Sequence, residues 1–191
     1  IGAEQLNLVA ISYGTRVALE YLRRHPSRVR TVVLDGVVPP ELALGSEHAR
    51  NLEVSLDAQF ARCAADPVCT QRFGSPGDAL TKLLGALDRQ PQPVRYRDPL
   101  THEWQDGTLT RDVVAGVVRL FAYVPQLSAM LPRALAEAAV GHSEVLMAQG
   151  RMIESLVGEQ INQGLQLSVS CSEDADRLRV DPADANTLMG T

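Results

Sequence analysis

The chain has 191 residues, of which 45% are hydrophobic and 21% charged, with a formal net charge of -5 and three cysteines. That length holds one domain, or a domain with a substantial insertion, and the composition is that of an ordinary globular protein. The acidic balance and scattered arginines argue against a nucleic-acid partner. No apolar run approaches the roughly eighteen residues that span a bilayer, since the most apolar window, Val113 to Val124, is interrupted by Arg119 and closed by Pro125.

In chain order, Leu6-Asn7-Leu8-Val9-Ala10 reads as a short buried strand. The run breaks at Ser12, turns through Tyr13-Gly14-Thr15 and restarts as an amphipathic helix from near Thr15. Val17, Ala18, Tyr21 and Leu22 form its apolar side, with Arg16, Glu20, Arg23 and Arg24 around them. His25-Pro26 ends the helix and a second strand starts at Val29. Strand, elbow, helix and strand in this order make the βαβ unit of a parallel sheet.

Past Pro39-Pro40 the pattern turns helical. Leu52, Leu56, Phe60 and Cys63 recur at near-helical spacing behind Ser46 as N-cap, and Asp78 caps a helix carrying Leu80, Leu83, Leu84 and Leu87. "PVRYRDPLTHEWQDGTLT" alternates around an Asp-Pro turn and predicts a hairpin over 93–109. Thr110 opens a helix through Val113, Val114, Val117 and Leu120; Pro132 suits the first turn of the next. Met152, Ile153, Leu156, Val157 and Ile161 form a last apolar face. These positions, with Met130 and Met147, read as packing, and so does the hairpin aromatic Trp104. "LQLSVSCSED" alternates and then ends in acids, which predicts a third parallel strand with Glu173 and Asp174 at its carboxyl end, where α/β ligands bind. A solvated acidic loop before Asp176 and Arg177 is the other reading of those acids.

Cys63 and Cys69 enclose "AADPV", a spacing compatible with a small disulfide loop. With no nearby histidine they do not make a tetrahedral metal site, and no metal is expected. A disulfide points to an oxidising compartment, secreted or periplasmic, with the cytoplasm as alternative. The strand position of Cys171 predicts burial.

The junction at Ser12 has a chemical use. A serine hydroxyl is a poor nucleophile unless presented to a base. A sharp turn between strand and helix exposes it and aims the backbone N–H of Tyr13 at a developing oxyanion, near the positive end of the helix dipole. Gly14 supplies the small residue wanted after the serine, whereas Ala10 stands where glycine is usual. A buried serine in an ordinary strand–turn–helix is the competing reading.

"ISYGTRVALEYLRRHPSRVRTVVLDGVVPP" as a whole resembles the α/β-hydrolase fold. More narrowly, "SYGT", "ALEYLRRHP", "RVR..VLDGVVPP" and "CSED" resemble the proline iminopeptidase and tripeptidyl aminopeptidase group of serine exopeptidases. The likeness covers residues 6–40, returns over 165–191 and is diffuse between. It implies an α/β fold: a partial hydrolase core of about three parallel strands with its nucleophile elbow in 1–40, a mainly helical cap over 41–163, and a return strand and tail over 164–191.

The resemblance further implies that Ser12 attacks an N-terminal peptide bond through an acyl-enzyme and that the Tyr13 N–H holds the oxyanion. Glu173 or Asp174 would then hold the substrate's free amine. The substrate is a peptide or small ester and no cofactor is expected. Cys171 would find a partner in a C-terminal part beyond this chain. In the family order Ser, Asp, His, the acid and base fall beyond residue 191; His25, His48, His102 and His142 do not follow a late core strand, and Asp35 is a minority position for the acid. The chain is therefore expected to be an internal fragment with negligible activity alone, whose exposed sheet edges permit self-association. A non-catalytic binding or scaffold module and an esterase of the same fold are the alternatives.

Overall fold

The computed structural model describes residues 2–160, 162–179 and 181–188, without the side chains of 156–160 and 186. The chain divides into two compact units. One comprises Ile1–Ser46 and Val169–Arg179, the other Glu47–Ser168 and Val180–Thr191.

The first unit is built on β1 (Leu6–Ile11), α1 (Tyr13–Arg24) and β2 (Val29–Asp35). The strands pair in parallel, with Leu8 beside Val32, Ala10 beside Leu34 and Ile11 beside Asp35. Period-two alternation decides what each face does. Ala10 is buried and α1 packs against the sheet, whereas Val9, Ile11 and Val33 stay exposed, Val9 at 75%. Parallel strands are normally covered on both faces, so this apolar face is the unusual one.

Four expectations for this unit are corrected. The helix begins at Tyr13, two residues earlier than its apolar period indicates. Its buried residues are Thr15, Arg16 and Ala18, while Val17 is exposed. Period alone placed Arg16 on the wet side; its ion pairs, described below, draw it inside. The third correction is "LQLSVSCSED", which is α9 (Gln163–Val169) followed by a π-helical turn, Ser170–Asp174, and not a strand. Among the described residues β1 and β2 pair only with each other, so the return to this unit is helical and the parallel sheet has two strands there. Alternation specifies a strand only where a neighbouring strand receives it. Leu165 and Leu167 are accordingly exposed, and so is Cys171, which is a free thiol and not a buried one.

The second unit is mainly helical: α2 (His48–Ala65), α3 (Pro67–Phe73), α4 (Pro76–Arg89), α5 (Arg111–Ala122), α6 (Pro125–Ser128), α7 (Leu131–Ala138) and α8 (Glu144–Gln160). Between α4 and α5 runs the expected hairpin, β3 (Gln92–Arg97) antiparallel to β4 (Trp104–Leu109). Its turn is held by Asp98, whose carboxylate accepts from the N–H groups of Leu100 and Thr101 at 2.7 and 3.1 Å. Those two donors, helped by Arg151, hold the Asp98 carboxyl below its ordinary range.

Several helix starts follow side-chain chemistry. Thr110 caps α5 through the Val113 N–H. Ser75 caps α4 by accepting from the Asp78 N–H, so Asp78 is not the cap but a first-turn acid favoured by the dipole. Glu47, not Ser46, precedes α2, and no side chain caps it. The core joins Leu52, Leu56, Leu83, Leu109, Phe121 and Leu135; burial of each such side chain contributes roughly 1.5–3 kcal/mol before entropy is counted. Of the last apolar face, Ile153 is buried, while the side chains of Leu156 and Val157 and all of Ile161 lie outside the described residues. Cys63 and Cys69 are joined by a disulfide with Cα atoms 5.3 Å apart. Trp104 is not packed inside: it is 60% exposed.

Candidate active site

Ser12 occupies the single residue between β1 and α1, with φ 53° and ψ -128°. Positive φ is uncommon for a residue with a Cβ, and such strain persists only where the surroundings enforce it. Three contacts do so. The Ser12 N–H donates to the Asp35 carbonyl at 2.9 Å, continuing the parallel ladder past the strand end. The Thr15 hydroxyl, fully buried, donates to the Ser12 carbonyl at 2.6 Å and accepts from the Val38 N–H at 2.8 Å. The Thr15 N–H donates to the same carbonyl at 2.9 Å. The Ser12 side chain itself is exposed.

Alanine at position 10 is no obstacle to this turn. A Cβ built on Gly14 would lie 3.9 Å from the Ala10 Cβ, an ordinary contact, so the Ala10 methyl does not crowd the helix start. The start of α1 carries no side-chain cap and no acid in its first turn, while Arg23 and Arg24 occupy the last. The positive end of the helix is thus left for an incoming negative charge beside the Tyr13 N–H.

The acids foreseen at "CSED" do reach this helix, with different partners from those expected. Arg16, only 6% exposed, donates from Nη1 to Asp174 Oδ1 at 3.0 Å, Asp174 Oδ2 at 3.1 Å and Glu173 Oε2 at 3.2 Å, and from Nη2 to the carbonyls of Pro39 and Leu42. Asp174 is fully buried; it also accepts from Arg177 Nη2 at 2.6 Å and the Leu44 N–H at 3.2 Å. Burial acts to raise the Asp174 carboxyl, but the Leu44 N–H, Arg16 and Arg177 outweigh it and hold the group below its ordinary range. Burial likewise acts to lower the Arg16 guanidinium, and Glu173 with Asp174 outweighs it, leaving Arg16 raised. Asp174 is an interior counter-ion with no edge presented to a ligand. Glu173 differs: its side chain is 38% exposed and accepts from the Tyr13 phenol at 2.6 Å. That bond is the main reason the Tyr13 hydroxyl is harder to ionise than usual.

Tyr13, Glu173, Val17, Tyr21 and Pro40 line a cleft of about 520 Å³ along α1. Its far end reaches His25, whose ring lies 5.1 Å from that of Tyr21. His25 follows the helix thirteen residues after Ser12, about 20 Å away at 1.5 Å rise per residue, so it is no base for this serine. Asp35 bears on Ser12 through its backbone carbonyl. Sequence reasoning missed Thr15 and the interior role of Arg16. A threonine three residues after the elbow serine was the available signal for the first; nothing local marked the second, whose partners lie nearly 160 residues on.

A family model described as alpha/beta hydrolase fold matches residues 1–97. The chain is 26% identical over 163 residues to "Serine protease Hip1" of Mycobacterium tuberculosis (strain ATCC 25618 / H37Rv), covering 80% of this chain and 30% of that protein, and equally to its Mycobacterium bovis counterpart. It is 53% identical over 74 residues to "Putative hydrolase YuaR" of Escherichia coli (strain K12), covering 36% of this chain and 15% of that protein. The chain thus spans less than a third of the length of these relatives.

Proposed function

The chain belongs to the alpha/beta hydrolase fold family, and from that premise we propose that it carries the nucleophile of a serine hydrolase that releases N-terminal residues or short peptides through an acyl-enzyme on Ser12. The observation that supports this most directly is an exposed serine at φ 53° between a parallel strand and a helix start. In this reading Ser12 Oγ attacks the carbonyl carbon of the first peptide bond as a base takes its proton. The Tyr13 N–H, at the head of α1, holds the oxygen on which negative charge develops. Collapse of the tetrahedral adduct expels the amine, which receives the proton from the base, and water then releases the acyl group by the same route.

Of the two acids at "CSED", Glu173 is the one assigned to a substrate's free amine, because its carboxylate keeps an open edge on the cleft. The base is not assigned to the first unit, whose one histidine is His25. On the family order of nucleophile, acid and base, the 191 residues alone are expected to hydrolyse aminoacyl and tripeptidyl reporters negligibly. A chain extended to the length of its relatives is expected to hydrolyse them, with turnover falling by several orders of magnitude on Ser12→Ala. In that protein Glu173→Gln raises KM for free-amine peptides and leaves N-acetylated esters unaffected. Undiminished turnover by the Ser12→Ala protein would overturn the assignment.

A further inference from the structure

The second unit carries a groove of about 300 Å³ between the hairpin and α8. Val145, Ala148 and Met152 line it as an i, i+3, i+7 stripe of α8, and Trp104 and Arg97 face them from the hairpin. Trp104 stands out as a large aromatic left largely exposed, the kind of side chain that dominates binding sites. The Arg95 guanidinium lies 5.3 Å from its ring centroid, a cation–π contact that still leaves the indole 60% exposed.

Charge at the rim gives the groove a direction. Arg97 pairs across the hairpin with Trp104 and donates from Nε to the His102 carbonyl at 2.9 Å. A guanidinium has five N–H donors in a fork that matches a carboxylate, so the rest of the fork is suited to an anion at this end. Glu144 lines the groove as well and repels one from its own side. The volume lies at the lower limit of small-ligand sites, enough for one large side chain with its terminal group and too little for a helix.

We propose that this groove binds the carboxy-terminal residue of a peptide ending in a large apolar side chain. The side chain lies between Trp104 and Met152, and the carboxylate meets Arg97. This binding is independent of the role given to Ser12.

Trp104 is the chain's one tryptophan, so its emission reports on the groove directly. The 191-residue chain is titrated with N-acetyl-Gly-Phe as free acid, with the same peptide as its amide, and with N-acetyl-Gly-Ser. A saturable change in emission is expected with the free acid. The amide and the serine peptide bind about tenfold more weakly or worse, the loss expected for a charge-assisted hydrogen bond or for an unfilled apolar pocket. Val145→Glu, at an exposed position, abolishes the response. Arg97→Gln removes the preference for acid over amide, and decides the matter should V145E fail to fold. Ser12→Ala leaves the titration unchanged, so failure of the groove and failure of the nucleophile are distinguishable. No response to the free acid, an equal response to the amide or the serine peptide, or an undiminished response in folded V145E would overturn the proposal.

Discussion

The Thr15 hydroxyl donates to the Ser12 carbonyl at 2.6 Å while accepting from the Val38 N–H at 2.8 Å, and Thr15 has no exposed surface. One buried side chain therefore ties the residue before α1 to the chain leaving β2. Thr15→Val keeps the shape and leaves the Val38 N–H without its acceptor. The expected cost is about 1–3 kcal/mol in denaturant unfolding, with Thr15→Ser retaining most of the stability. Equal midpoints for the valine and serine variants would show that the hydroxyl does not hold the elbow.

The Arg16–Asp174 pair links stability to pH. The folded pKa of Asp174 is depressed, so its contribution is fully present above the unfolded value of about 3.9 and is lost as pH falls through the lower, folded value. Asp174→Asn leaves Arg16 buried with Glu173 alone for counter-charge and is expected to cost about 3 kcal/mol at neutral pH. The gap between the wild type and this variant should narrow below about pH 3.9. A gap that stays constant to the acid limit would dissociate Asp174 from acid unfolding.

Two glycines separate close packing from open space. A Cβ on Gly150 would come 2.7 Å from Val117 Cγ2, whereas one on Gly85 meets nothing within 4 Å. Both lie within helices. Gly85→Ala is expected to stabilise by about 0.5–1 kcal/mol through helix propensity. Gly150→Ala is expected to destabilise by about 1 kcal/mol, overpacking outweighing the same gain. Thermal unfolding of the two variants should thus shift in opposite directions.

Thiol titration of unfolded, unreduced protein should find one reactive thiol, Cys171, with Cys63 and Cys69 in their disulfide. Reduction should raise the count to three and lower stability by on the order of 2 kcal/mol, as the chain-entropy relation gives for so short a loop. We propose export to an oxidising compartment as the setting in which this bond forms. Three thiols in protein isolated without reductant would speak for a reducing one.

What the sequence determined by itself was local. A strand that stops at Ser12 and a helix that starts at once leave one residue to make the turn, so the elbow was legible from periodicity, and Asp98-Pro99 marked the hairpin because an Asx turn closes within a few residues. The helix starting at Thr110 could be read for the same reason, since a cap acts over three residues. Tertiary structure decided whatever depends on a distant partner. Arg16 sits on a helix face that period alone assigns to solvent, and Asp174, nearly 160 residues away, makes it an interior cation. "LQLSVS" alternates like a strand yet folds as helix, because backbone pairing needs a neighbour that periodicity does not supply. Trp104 is exposed for a related reason: whether an aromatic on a two-stranded hairpin is covered depends on what the rest of the chain sets against its face, and α8 leaves a groove there.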